Sequence, residues 1–165
     1  MAFGLLKSHM NGFCANSRFG LVPGSKDVVS PRLQEAGNSQ KIMSTKFWDL
    51  KWEKILPAFG DDSPEIAILR VDPKTQATQL LIRNPKKIHV TRHWHSANET
   101  HKILRGNMVF ECDGKREELG PGSFNYIPKK MVHQAWLPDD GLVFMTVDAA
   151  WDINWVDGPP QPPAN

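Results

Sequence analysis

Short apolar segments alternate with turn-forming residues between positions 65 and 147, and this alternation constrains the fold more than any other feature of the chain. The turns contain Asp-Pro, Asn-Pro, Asp-Gly and Pro-Gly pairs, and the segments recur at the spacing of about 8–12 residues that is typical of β-sandwiches and barrels. No segment in this region carries the 3.6-residue apolar stripe of an amphipathic helix. The sequence therefore predicts an all-β single domain with strands over Glu65–Val71, Ala77–Arg83, Lys87–His93, Thr100–Leu104, Asn107–Cys112, Ser123–Ile127, Met131–Leu137 and Leu142–Val147.

Three parts of the chain differ in composition. Residues 1–42 show no sustained periodicity, which favours a disordered leader or an upstream extension, although a basic stretch poor in acids is also faintly similar to an organelle transit peptide. Residues 43–158 form the predicted β-barrel, in which only Trp48–Leu56 is expected to make a helical turn or two, ended by Pro57. Residues 159–165 form a Pro-rich tail.

The charges of the chain are nearly balanced, with 20 Lys and Arg against 18 Asp and Glu. The positive excess lies in residues 1–42, which hold five basic residues and two acidic ones, whereas the remainder holds 15 and 16. The body therefore offers no basic surface for nucleic acid or an anionic membrane. No apolar run approaches the roughly 18–20 residues that span a bilayer, and no secretory signal is evident, so we expect a cytoplasmic protein.

A cluster of potential metal ligands lies in the segment RHWHSANE, residues 92–99. Because side chains alternate between the two faces of a strand, His93 and His95 project together while Trp94 points away. A short turn then brings Glu99 to the start of the next strand. Two imidazoles and a carboxylate can occupy one face of an octahedral metal and leave other positions open. Paired histidines also occur as hydrogen-bonded core residues, so this pattern alone leaves both interpretations open.

The spacing that follows these histidines resembles the cupin superfamily. The first motif of that superfamily is G-x5-H-x-H-x3,4-E-x6-G, and the second combines a Pro, a Gly-containing turn and a histidine. This chain matches the two motifs with His93, His95, Glu99 and Gly106, and then with Pro121, Gly122, Pro128 and His133. The resemblance covers about residues 65–148. It implies a jelly-roll β-barrel holding a divalent metal through His93, His95, Glu99 and His133.

The chain departs from the superfamily pattern at turn positions. Lys87 stands near the place of the first glycine, and Lys129 and Lys130 replace the glycine expected after Pro128. The Asn that often follows the last histidine is absent, and Leu137 is found there. None of these positions is one of the four implied ligands, so the departures bear on local geometry.

The stretches 99–106 and 120–128 are most similar to single-domain cupins of the ChrR type, near the diketone-cleaving dioxygenases. A site of three histidines and one carboxylate suits Fe(II), which we favour, and also Mn(II), Ni(II), Zn(II) or Cu(II). The resemblance therefore implies a non-haem Fe(II) dioxygenase acting on a small carbonyl or enolisable substrate. Two alternatives stay open: a redox-neutral metal-dependent lyase or isomerase, and a non-catalytic sensor that binds a metal or small ligand.

Further residues are candidates for supporting roles. His101 shares a strand face with Glu99 and is a candidate acid–base group, hydrogen-bond partner or interior polar residue. Tyr126 is a second candidate for proton transfer, or else a packing residue. Met108, Phe110, Ile127 and Trp136 are candidate pocket walls, and residues 148–156 are expected to lie across the barrel as a closing segment. The outward Trp94 favours a homodimer interface over intramolecular cover by Phe47–Leu56.

Overall fold

A computed structural model describes residues 42–163, so residues 1–41 of the predicted leader and the last two residues of the predicted tail lie outside the described residues. Within these residues eleven strands form two antiparallel sheets, and two 3₁₀ turns, Phe47–Asp49 and Pro57–Asp62, lie before and after the first strand. The strands are β1 (Glu53–Lys54), β2 (Glu65–Val71), β3 (Thr78–Asn84), β4 (Ile88–Trp94), β5 (Glu99–Arg105), β6 (Met108–Cys112), β7 (Lys115–Leu119), β8 (Phe124–Ile127), β9 (His133–Leu137), β10 (Gly141–Val147) and β11 (Asn154–Trp155). This architecture confirms the all-β jelly-roll prediction.

From β3 onward, consecutive strands lie in opposite sheets, except for the β6–β7 hairpin. The first sheet has the order β1-β2-β3-β10-β5-β8, and the second has the order β11-β4-β9-β6-β7. Strands that are distant in sequence therefore become neighbours, as β4 and β9 do in the second sheet. This connectivity places residues of β4, β5 and β9 around one interior space.

The interior of the sandwich is built by strict alternation along the strands. In β5, Glu99, His101 and Ile103 are buried, whereas the residues between them are more exposed. On the adjacent strand, Val143 and Met145 pair with Ile103 and His101 and are buried as well. A period of two thus places apolar side chains and potential ligands on the same inner face.

The eight predicted strands are all present within one or two residues of their predicted ends. Strand β7 was not among them, because its sequence KREEL is polar on both faces and it lies at the edge of its sheet. The prediction of a helical turn over Trp48–Leu56 is wrong for most of that range. Only Phe47–Asp49 is a 3₁₀ turn there, and Pro57 begins the next 3₁₀ turn instead of ending a helix.

The turn between β5 and β6, which carries the chain from the first sheet to the second, requires a glycine. Gly106 has a φ of +83°, in the left-handed region that side-chain-bearing residues rarely adopt. A Cβ atom at this position would also lie 2.5 Å from Cγ of Pro138. The glycine that ends the first superfamily motif is therefore explained by backbone conformation and by close packing together.

The C-terminal segment, which the sequence predicted to lie across the barrel, extends the second sheet at its edge. Strand β11 pairs with the end of β4, and the Val156 N–H donates to the Arg92 carbonyl over 2.9 Å. The Arg92 guanidinium makes a two-pronged ion pair with Asp157 at 2.6 and 2.7 Å. Among residues 42–163, no helix is long and apolar enough to cross a membrane.

Candidate metal centre

The structure brings His93, His95 and His133 together inside the sandwich, and places Glu99 in contact with His95 and His133. His93 lies near the end of β4 and His133 opens β9, and the two residues are direct cross-strand partners with ring centroids 4.2 Å apart. His95 follows β4 directly, and Glu99 opens β5 on the facing sheet. The side chains of His95, His133 and Glu99 are 6%, 3% and 1% exposed. The cluster is therefore shielded from solvent.

The distances within the cluster suit a common ion. Oε1 of Glu99 lies 3.3 Å from Nε2 of His95 and 3.3 Å from Nε2 of His133. The potential ligand nitrogens of His93, His95 and His133 all lie within 4.8 Å of one another. Metal bonds of about 2.0–2.2 Å place neighbouring ligand atoms roughly 3.0–3.4 Å apart. The carboxylate and two of the imidazoles already stand at that separation.

Each of these three imidazoles is oriented by a backbone carbonyl. Nδ1 of His93 donates to the Thr91 carbonyl over 2.7 Å, and Nδ1 of His133 donates to the Met131 carbonyl over 3.0 Å. Nδ1 of His95 donates to the carbonyl of Asp152 in the closing segment. A carbonyl can only accept, so in the neutral ring Nδ1 carries the proton and Nε2 presents its lone pair. Such outer hydrogen bonds are typical of metal-binding histidines.

Burial keeps the imidazoles of His93 and His133 neutral at pH 7. Burial is the largest cause that lowers the pKa of His133 to about 4. Burial and the neighbouring His133 and His95 rings hold the pKa of His93 well below its ordinary value. Neutral imidazoles are the form that binds metals, so the cluster needs no further deprotonation of these groups to accept an ion.

The carboxylate of Glu99 provides the test of whether a metal fits. Both of its oxygens are buried, and neither has a hydrogen-bond donor among the described residues. A buried carboxylate without donors is costly, and here Oε1 faces imidazole nitrogens that present lone pairs. A divalent cation bound between these atoms would neutralise the buried carboxylate and accept the lone pairs of the imidazole nitrogens. The residues present therefore fit a divalent metal ion.

Asn98 holds the two ligand-bearing loops together. Its amide oxygen accepts from the Lys129 N–H over 2.9 Å, and its own backbone N–H donates to Asp148 over 2.9 Å. Lys130 has a φ of +63° and donates its N–H to the His95 carbonyl over 2.8 Å. Lys130 thus adopts the left-handed conformation where the superfamily pattern has a glycine. The turn before β9 therefore forms without a glycine, and it still brings the start of β9 close to His95.

His101 lies beside the cluster but outside the three-histidine group. Its Nε2 is 3.6 Å from Oε2 of Glu99, and its Nδ1 donates to Oδ1 of Asn125 over 2.7 Å. The ring packs near Phe110, with centroids 5.1 Å apart. Burial lowers the pKa of His101 as well. Glu99 is therefore in contact with His95 and His133 through Oε1 and with His101 through Oε2.

A cavity of about 80 Å³ opens beside these imidazoles. Four histidines line it, and every other lining residue is apolar. The lining residues are Ile55, Leu56, Pro64, Ile82, Val90, His93, His95, His101, Met108, Phe110, His133, Ala135, Leu137, Val143, Met145, Trp151, Ile153 and Trp155. This arrangement provides a compact, mostly apolar space next to the candidate metal centre.

Some predicted site residues lie elsewhere. Tyr126 is 40% exposed on the outer face of the first sheet and does not line the cavity, because its neighbour Asn125 occupies the inward position opposite His101. Met108 and Phe110 line the cavity as expected, whereas Ile127 and Trp136 do not. The Trp136 ring stacks on the exposed His89, with centroids 4.5 Å apart.

The lining residues that the sequence analysis did not identify include three of the closing segment, namely Trp151, Ile153 and Trp155. They occupy alternate positions, so a period of two was present as a signal. Trp151 and Ile153 are buried at 8% exposure each, and the Trp155 ring lies 5.4 Å from that of His93. The closing segment therefore forms one wall of the cavity and also pairs with the edge of the second sheet through β11.

Comparison with known proteins agrees with the geometry. Residues 80–148 match the family model of the cupin domain. A search of curated proteins finds no match to the sequence. Among solved structures, an RmlC-like cupin from Shewanella frigidimarina NCIMB 400 aligns with a TM-score of 0.56 and 17% identity, covering 67% of this chain and 93% of its own.

Two further solved structures align over a larger share of the chain. A candidate acetylacetone dioxygenase from Methylibium petroleiphilum PM1 has a TM-score of 0.58 and 16% identity, covering 78% of this chain and 89% of its own. The polyketide cyclase RemF from Streptomyces resistomycificus has a TM-score of 0.58 and 18% identity, covering 74% and 90%. At these identities the likeness shows the shared fold, and the different activities of these neighbours leave the reaction to be argued from the site itself.

Proposed function

Because the chain belongs to the cupin superfamily and carries a buried cluster of His93, His95, His133 and Glu99, we propose that it is a metal-dependent enzyme. We assign it a non-haem Fe(II) dioxygenase activity on a small carbonyl or enolisable substrate. The observation that carries the proposal is the donorless Glu99 carboxylate facing the Nε2 atoms of His95 and His133 beside a mostly apolar cavity. A structural metal site would have no need of such a cavity.

The chain's own residues would divide the work of the reaction. His93, His95 and His133, with Glu99, would hold the ion, and a mixed nitrogen and oxygen donor set without thiolate suits iron. When bound, a ferrous ion supplies Lewis acidity and reactivity toward dioxygen. The apolar walls, among them Met108, exclude water from the reacting groups. Four protein ligands would leave room for both substrate and dioxygen.

His101 is the residue that we assign to proton transfer. It lines the cavity, and its Nδ1–H donates a hydrogen bond to Asn125, so Nε2 carries the lone pair that would accept a proton from an enolisable substrate. This observation also favours a second candidate function, a redox-neutral lyase or isomerase step, because such a step needs a proton acceptor but no dioxygen. We assign no role in the reaction to the exposed Tyr126.

Oxygen consumption separates these functions. The full chain, loaded anaerobically with Fe(II), is mixed with pentane-2,4-dione and other small carbonyl compounds in an oxygen electrode. We expect one O₂ consumed per substrate, with one carbon–carbon bond cleaved and both oxygen atoms recovered in the two carbonyl products. The variant His95→Ala should be inactive, and His89→Ala, which changes an exposed imidazole outside the cluster, should retain activity.

Three other outcomes would overturn the dioxygenase assignment. Turnover of a carbonyl substrate without dioxygen would select the lyase or isomerase. Ligand binding without turnover of any compound would select a sensor. Oxygen uptake that is equal in the metal-free and Fe(II)-loaded proteins would show that the candidate metal centre is not the site of reaction.

A further inference from the structure

The middle of the closing segment carries one charged residue, Asp152, between two buried apolar residues. Trp151 and Ile153 line the cavity, whereas Asp152 is half-buried and does not line it. A half-buried carboxylate loses part of its hydration, so its hydrogen-bond partners decide whether a charge at this position is stable. The partners of Asp152 therefore indicate what the residue does.

Asp152 bonds to a candidate metal ligand and to the residue that follows that ligand. Its backbone carbonyl accepts the Nδ1 proton of His95. Its carboxylate accepts at both oxygens, with Oδ1 2.8 Å from the backbone N of Ser96 and Oδ2 3.0 Å from Nδ2 of Asn154. The carboxylate bonds thus fix the residue whose carbonyl orients the His95 ring, and Nε2 of that ring lies 3.3 Å from Oε1 of Glu99.

The two ends of the closing segment are held by other bonds. At its start, the carboxylate of Asp148 accepts the Asn98 N–H over 2.9 Å, and the N–H of Asp148 donates to the Asn98 carbonyl over 3.2 Å. At its end, β11 pairs with β4, and the next residue, Asp157, makes an ion pair with Arg92. Loss of the Asp152 side chain should therefore leave the segment in place and release only its middle.

We infer that Asp152 is a positioning residue for the metal centre, whose carboxylate anchors the closing segment so that its carbonyl holds the His95 ring with Nε2 toward Glu99. A cation bound at Nε2 makes the Nδ1–H a stronger donor, so metal binding and the bond to Asp152 should strengthen each other. The inference rests on the proposed metal centre and not on the dioxygenase activity. It gives the closing segment a second role besides forming a wall of the cavity.

The experiment measures metal affinity and the state of the His95 ring. The full chain and its variants are titrated with Zn(II) against a chelator of known affinity, and the histidine nitrogens are labelled with ¹⁵N for NMR spectroscopy. Asp152→Ala removes the carboxylate, and Asp152→Asn removes the charge but keeps an oxygen for the Ser96 N–H. Asp157→Ala is the matched control, because it removes an acidic side chain just past the closing segment that bonds to the Arg92 guanidinium.

The affinity for Zn(II) should fall by about tenfold in Asp152→Ala. Asp152→Asn should keep it within about threefold, because the bond to Ser96 remains, and Asp157→Ala should bind Zn(II) as the wild type does. The Nδ1–H resonance of His95 is identified by its absence from His95→Ala. Because this side chain is only 6% exposed, its proton should exchange slowly with water, more slowly with Zn(II) than without, and fast in Asp152→Ala.

Equal Zn(II) affinity in Asp152→Ala and the wild type would overturn the inference. An equal loss of affinity in Asp157→Ala would also overturn it, because it would show a general loosening of the segment. So would a His95 Nδ1 proton that exchanges at the same rate with and without Zn(II), and this measurement needs no Asp152 variant to fold.

The proposed function fails in a different way. A wild type that binds no Zn(II) would refute the metal centre and the inference together, whereas wild-type binding that is unchanged in Asp152→Ala would refute the inference alone. A loss of Zn(II) affinity in Asp152→Ala, with no oxygen uptake by the Fe(II)-loaded wild type, would leave the inference standing and refute the dioxygenase.

Discussion

Oε1 of Glu99 lies 3.3 Å from Nε2 of His133, although the two residues belong to facing sheets and the carboxylate has no hydrogen-bond donor. The imidazole is neutral at pH 7 and directs its lone pair inward, because its Nδ1 proton is donated to Met131. Two electron-rich atoms at this distance are stable neighbours only with a cation or a proton between them. This relationship fits a divalent ion between the two side chains and supports the proposed metal centre.

Replacing Glu99 by glutamine should have opposite effects on the stability of the metal-free protein and on metal binding. The amide removes the buried charge and gives the histidine nitrogens a donor, so the metal-free variant should be more stable than the wild type by about 1–3 kcal/mol. Its metal affinity should fall by at least about tenfold. Calorimetric melting with chelator and with added Zn(II) measures both effects. A metal-free Glu99→Gln protein that melts below the wild type would contradict the expectation.

The metal-free protein should lose stability as the pH falls from about 6.5 to about 4. Unfolded histidines take up protons near pH 6.5, whereas burial holds the pKa of native His133 at about 4 and lowers those of His93 and His101. The unfolded state thus binds more protons in this window, and His133 alone contributes a loss on the order of 3 kcal/mol by pH 4. Urea titrations with chelator at pH 7.5, 6 and 5 measure the slope. A midpoint that stays constant across these values would be the contrary result.

Removing the Asn98 side chain should weaken metal binding without unfolding the barrel. Asn98→Ala loses the acceptor for the Lys129 N–H and the bond from Nδ2 to Asp148, so β9 is held less firmly against His95. We expect metal affinity to fall by about tenfold, with an unchanged far-UV spectrum. Asn107→Ala is the control, since its amide bonds only to Glu118 in the distant β6–β7 hairpin region. Equal affinities for the two variants would show that Asn98 does not position the ligands.

The homodimer stays a prediction. Trp94 is half-buried, and β11 pairs with its strand on one side. Phe47 and Trp52 belong to the segment that is the alternative, intramolecular cover of Trp94. They pack against each other, and Trp52 lies under Arg83 of the first sheet. Sedimentation of the full chain at micromolar concentration should give a dimer, and Trp94→Ser should shift it toward monomer. A wild-type monomer would refute the predicted interface.

Much of the fold was predictable because its strands obey local rules. Strand β2 begins and ends where its apolar pattern does, and the Asp113-Gly114 and Pro121-Gly122 turns separate strands as expected. Strand β7 could not be found in this way, because its pairing with β6 is set by the hairpin and its own residues are polar. Two-residue strands such as β11 depend on tertiary contacts alone.

The candidate site was predictable where the spacing of residues along a strand determines the face to which their side chains point. His93, His95 and Glu99 follow the alternation of a strand and a short turn, and the superfamily motif supplied His133. The choice of Tyr126 as a possible proton carrier failed by one residue, because the register of β8 on β5 places Asn125 inward. The roles of Asp152 and Trp151 depend on where a long closing segment lies, which no local pattern encodes.

Metal content measured by mass spectrometry tests the account most directly. Protein purified without chelators, or reconstituted with Fe(II), should hold close to one divalent ion per chain. His95→Ala should hold less than about a tenth of that amount while keeping its β-sheet spectrum, because strand pairing does not depend on the ion. The control His89→Ala should keep the wild-type content, since this exposed imidazole bonds to Gln134 on the outer face. Full occupancy in His95→Ala would contradict the assignment of the metal centre.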